Sequence, residues 1–134
     1  MEQAKWDRRR FRRCRAGGWL TGWIGDGLKV SVTDISRGGV LIEHVGTIRP
    51  GTICVLTLSL RGESVRVKCR VARSVIYRYE AWPPGERTYV YRTGLELLDV
   101  AEVPLQVIGG YIGFLEAEMS RYRNRRYVLT SQAQ

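Results

Sequence analysis

The stretch Leu28-Lys29-Val30-Ser31-Val32-Thr33-Asp34-Ile35-Ser36-Arg37-Gly38-Gly39 decides how this chain folds. Leu28, Val30 and Val32 alternate with Lys29, Ser31 and Thr33, and a half-buried strand is the conformation that sends those two sets to opposite faces. The same period of two returns at Leu56, Leu58 and Leu60 against Thr57 and Ser59, and at Val65, Val67, Cys69 and Val71 against Arg66, Lys68 and Arg70. Turn chemistry separates these runs at Gly25-Asp26-Gly27, Arg49-Pro50-Gly51, Arg61-Gly62-Glu63 and Trp82-Pro83-Pro84-Gly85. About six short strands joined by tight turns predict a mainly β chain, built as a small six-stranded antiparallel β-barrel over residues 17–100.

Outside that body the pattern changes. The glycine-rich segment 17–27 lacks the GxxxxGK[ST] spacing of a phosphate loop and reads as a hairpin, with Trp19 and Trp23 packing on the barrel. After Asp99 the period lengthens: Pro104 suits a first helical position, and Leu105, Ile108, Ile112, Leu115, Met119 and Tyr122 recur at steps of three and four. A C-terminal helix over 104–126 follows, its stripe capping an open barrel end or, as the alternative, forming a dimer contact, and Gly109, Gly110 and Gly113 point to close backbone contact with the barrel or a second copy.

With 134 residues, 44% of them hydrophobic, the chain can bury one real core, so 1–134 is expected to be a single domain. The net charge of +9 is unevenly placed: residues 5–15 hold seven of the 22 basic side chains and residues 121–126 hold four. The rest is nearly neutral, so the partner should be anionic and should meet the termini. Crowded positive charge also predicts a flexible Arg-rich segment over 1–16 that orders only when phosphates offset it.

Cys14, Cys54 and Cys69 form no CxxC, and His44 is the one histidine, so neither a disulfide framework nor a metal site is expected. Free thiols in apolar strand patterns, no signal-peptide pattern and no run of ~18–20 apolar residues predict a soluble cytoplasmic protein without membrane insertion. His44, after Glu43, reads as an ordinary surface histidine, and the thirteen acidic residues form no catalytic motif, so no enzyme and no cofactor are expected.

Two half-motifs carry the chemistry. Arg9-Arg10-Phe11-Arg12-Arg13 places two arginines four apart, and Asp34-Ile35-Ser36-Arg37-Gly38-Gly39 supplies a carboxylate in a tight turn. An arginine fork suits the O6 and N7 acceptors of guanine and binds phosphate bidentately, while an ionised carboxylate accepts from guanine N1 and N2. Arg8 and Arg12 share the same spacing. Together the halves resemble the PilZ domain, a bacterial receptor module for cyclic di-GMP whose hallmark is RxxxR followed by DxSxxG, and Tyr91-Arg92-Thr93-Gly94-Leu95-Glu96-Leu97-Leu98 is similar to the strand that closes its barrel. The resemblance covers roughly Arg8 to Asp99; Arg12 stands where many members have proline.

The resemblance implies a cyclic di-GMP sensor that changes its surface to regulate an unnamed protein. It selects Arg9 and Arg13 for guanine edges and phosphates, because the family usually carries an extra arginine or two before the last, places that Arg8 and Arg10 fill as auxiliary contacts. Asp34 and Ser36 are expected to hydrogen-bond guanine, and Gly38 and Gly39 to form the turn, with Gly39 where a Cβ would collide. The surplus arginines favour a stacked pair of nucleotides; Arg37 is open. The competing reading, a small β-barrel binding nucleic acid non-specifically, needs arginines and aromatics spread along a groove, which a near-neutral body does not offer.

Overall fold

The computed structural model of the chain describes residues 14–80 and 87–132, with side chains described over 20–80 and 87–121. Six strands, β1 (Cys14–Ile24), β2 (Leu28–Ile35), β3 (Gly39–Val45), β4 (Ile53–Leu60), β5 (Glu63–Glu80) and β6 (Thr88–Leu97), precede one helix, α1 (Glu102–Gln132). Every pairing is antiparallel, and the sheet closes on itself in the order β1-β2-β3-β6-β5-β4. The alternating residues do what their period demands: Val30, Val32, Leu56, Leu58, Leu60, Val67, Cys69 and Val71 fill the interior. Cys54 and Cys69 lie directly opposite one another on β4 and β5 as free thiols.

Segment 17–27 is the β1–β2 hairpin, turning at Gly25 with φ 58°. Its glycines have a second use at the seam where the barrel closes. β1 meets β4 through only Gly22↔Leu58, Trp23↔Thr57 and Ile24↔Leu56, and a Cβ on Gly22 would lie 2.5 Å from the Thr57 carbonyl oxygen. Trp23 keeps 43% of its surface exposed, and the side chain of Trp19 lies outside the described residues. β1 reaches back to Cys14, so residues 14–16 of the expected flexible segment are strand, held by pairing with β2, whereas residues 1–13 lie outside the described part.

The helix starts at Glu102, two residues before Pro104, and runs past residue 126 to Gln132. Proline is accommodated because the first-turn N–H groups have no intrahelical partner; the first bond runs from the Leu105 N–H to the Ala101 carbonyl. Among the described side chains of the apolar stripe only the middle ones reach the barrel, and that of Tyr122 lies outside the described part. Ile108 and Ile112 are buried in the core and Leu115 packs against it, while Leu105 and Met119 stay exposed. No described helix is long and apolar enough to cross a membrane.

Candidate ligand site

The site end of β2 depends on one extra residue. Val32 and Ile35 are both wholly buried although three apart, which strict alternation forbids. The register with β3 shifts between Val32 and Asp34, so Thr33 is the additional residue of a bulge, tied by its hydroxyl to the Leu41 carbonyl at 3.1 Å. The bulge turns Ile35 inward and leaves Asp34 on the outer face, half-buried. Without it Asp34 would continue the series Val30, Val32 into the core. Among the described residues the Asp34 carboxylate has no hydrogen-bond or ion-pair partner.

Ser36 ties the turn that follows. Its hydroxyl accepts from the N–H groups of Gly38 (3.2 Å) and Gly39 (3.0 Å) and donates to the Gly39 carbonyl (3.1 Å), which also receives the Ser36 N–H at 2.9 Å. One donor and two lone pairs are thereby used, and the residue is 4% exposed. β6 clasps the turn from the other side: the Leu97 N–H donates to the Gly38 carbonyl at 3.0 Å. A Cβ on Gly39 would come within 2.9 Å of the Leu95 carbonyl oxygen, so glycine is required here by the close approach of β6.

Arg8, Arg9, Arg10 and Arg13 lie outside the described residues. The strand they lead into is described, and its register bears on them: Cys14 pairs with Ile35 and Arg15 with Asp34. In the chain, Cys14 is the residue that directly follows the RxxxR run. Spacing alone passes over Arg15, since strand register is not written in either half-motif. Arg37 points elsewhere. Its guanidinium lies over α1 at Gly109, where an added Cβ would sit 3.0 Å from Nη2 and 3.1 Å from Nε; Gly110 and Gly113 have open space instead.

At the opposite barrel end the expectation for His44 is corrected. It is 4% exposed, stacked on Tyr91 with ring centroids 6.0 Å apart, and joined through Thr93 Oγ1 (2.6 Å) to Ser74 Oγ (2.7 Å from Thr93). Burial lowers its pKa. Glu43 beside it belongs to an outer-face network, with Arg78 Nη1 at 2.8 Å and Arg92 Nη2 at 2.7 Å. Partial burial alone would raise the Glu43 pKa, but the hydrogen bonds from Arg92 and Arg78 outweigh it and hold the carboxyl below its usual value. Arg92 also lies 3.6 Å over the Tyr77 ring. Among the described residues no three His, Cys, Asp or Glu side chains are grouped to hold a metal ion. A groove of about 620 Å³ between the β4–β5 turn and α1, lined by Leu60, Arg61, Gly110 and Tyr111 among others, contains none of the described motif residues.

Comparison with known proteins bears on the family and the fold. The family model for the PilZ domain matches residues 7–112. Among solved structures, the PilZ domain with c-di-GMP of YcgR from Escherichia coli superposes with a TM-score of 0.68 at 15% identity, over 87% of this chain and 98% of that one. The Bacillus subtilis inhibitor of motility MotI (DgrA) gives 0.66 at 19% identity, over 83% of this chain and 52% of its own. The MrkH–c-di-GMP complex of K. pneumoniae gives 0.63 at 18%, over 86% and 55%, so this chain spans about half of the latter two. No curated protein matches the sequence.

Proposed function

The chain belongs to the PilZ domain family, and from that membership we propose that it is a cyclic di-GMP receptor which regulates another protein by changing its surface. The observation that carries the reading is the outward Asp34, unpartnered among the described residues, with β1 paired alongside it at Arg15. Asp34 accepts from guanine N1 and N2; Arg9 and Arg13 take guanine edges and phosphates, and Arg8 and Arg10 help neutralise the four phosphate charges of a stacked pair. Ser36 acts by shaping the turn, because its hydroxyl bonds lie within it. Gly38 and Gly39 keep the turn against β6. Two matched structures are complexes with c-di-GMP, which supports the choice of ligand. In this reading the whole chain is one regulatory, non-catalytic domain working in the cytoplasm without a cofactor, and the regulated partner is a protein.

Calorimetry with cyclic di-GMP tests it. Binding at micromolar or tighter affinity is expected, with two nucleotides per chain. Truncating a bidentate arginine removes roughly 1–3 kcal/mol, so Arg9→Ala and Arg13→Ala should each weaken binding about tenfold or more. A double variant that is folded by circular dichroism and binds like the parent overturns the proposal.

A further inference from the structure

β5 outruns its partner on one side. β4 pairs with it only over Glu63 to Arg70, and two more bonds tie Val71 to Gly51 and Thr52; β6 accompanies it to Glu80. From Ala72 to Glu80, therefore, no described strand pairs with the β4-side edge, and alternate N–H and C=O groups face outward along it. Charged Arg73, Arg78 and Glu80 and the bulges at Ala72 and Tyr77 blunt this edge in part, but no described strand covers it. It is long and free of proline, and Val75, Ile76 and Tyr79 are 49%, 57% and 48% exposed.

We propose that this edge is a self-pairing surface, on which β5 of a second copy of the chain docks antiparallel about a two-fold axis at Ile76. The register follows from the bulge. β5–β6 pairing shifts between Ile76 and Arg78, making Tyr77 the extra residue, so Arg73, Val75, Arg78 and Glu80 share the outer face while Ser74, Ile76 and Tyr79 share the inner one. With Tyr77 skipped, pairing about Ile76 sets Ile76 against itself, Ser74 against Tyr79 and Arg73 against Glu80, always like face on like face, as a two-fold contact requires. The charges then match. Among the described residues Arg73 has no carboxylate partner, and Glu80 is engaged through one oxygen only, to Arg78 at 2.9 Å. The symmetric contact supplies two Arg73–Glu80 pairs flanking an apolar centre.

Sedimentation of the full chain over micromolar to millimolar concentrations reads this directly. A reversible monomer–dimer equilibrium is expected. Ile76→Lys, which sets two ammonium groups face to face on the axis, should leave a folded monomer. Arg73→Glu should weaken dimerisation about tenfold, two cross-strand pairs turning repulsive, and Arg73→Glu with Glu80→Arg should restore it. The proposal is overturned by a parent that remains monomeric, by a dimer indifferent to Ile76→Lys, or by a double exchange weaker than the single one. Cyclic di-GMP affinity does not enter these readouts, so the ligand reading stands or falls separately.

Discussion

Ser36 is the residue in which the motif's chemistry and its architecture part. A serine in a binding motif invites a role at the ligand, yet its hydroxyl holds two glycine N–H groups and one carbonyl in the turn. Ser36→Ala leaves buried polar groups short of partners, a loss of about 1–3 kcal/mol. Denaturant melts should show that loss in the ligand-free protein, whereas Asp34→Ala should leave unliganded stability nearly unchanged while weakening cyclic di-GMP. His44 gives a second residue-scale expectation. Its folded pKa lies below the ordinary 6.5, so its contribution is fully present above about pH 6.5 and falls away as pH drops toward the lowered value, because the unfolded chain takes up the proton first. Glu43, also lowered from 4.5, adds a further loss on the acid side of that value. Thermal melts from pH 7.5 to about 3 should therefore decline in two stages, and His44→Gln should flatten the first; an unaltered slope would sink the assignment.

At the scale of elements, α1 and the β2–β3 turn touch through Arg37 and Gly109. An alanine at 109 would meet only the far end of a flexible side chain, which can swing aside, while a helix gains up to about 1 kcal/mol from replacing glycine. Gly109→Ala should thus keep or raise the melting temperature. A marked fall would mean that Arg37 is held there more firmly than its exposed position allows. Gly22 has the opposite sign, since its added Cβ would meet the backbone of β4 at 2.5 Å and the Leu58 side chain at 2.7 Å. Neither yields cheaply, so Gly22→Ala should destabilise by about 1–3 kcal/mol or more.

For the molecule as a whole, the question is whether charge or base identity selects the ligand. A net charge of +9 attracts any polyanion, and that attraction weakens steeply with salt. Guanine reading does not depend on it in the same way. Adenine offers an amino donor where the arginines need an acceptor and lacks the N2 group that Asp34 would bind. At roughly 1–3 kcal/mol for each bidentate pair lost, cyclic di-AMP should bind at least tenfold more weakly, and Asp34→Ala should narrow that gap. Equal competition by cyclic di-AMP and a short single-stranded oligonucleotide, collapsing together in salt, would point to a general phosphate binder instead.

The sequence by itself determined the barrel, the helix and the family. Period-two runs such as Val65 to Val71 and the DxSxxG string are local, and local pattern is what hydrophobic alternation and turn chemistry write into a chain. Tertiary structure alone decided what depends on register and contact. Alternation carried forward from Val30 and Val32 would bury Asp34, and only pairing with β3 reveals the Thr33 bulge that turns it outward. His44 looks solvated beside Glu43, but the approach of Thr93 and Tyr91 from β6 buries it. Gly39 reads as a turn residue, and its closeness to Leu95 exists only because β6 lies alongside β3. Each of these joins residues far apart in the chain, and a one-dimensional pattern holds no record of which strands will meet or of the residue by which their pairing slips.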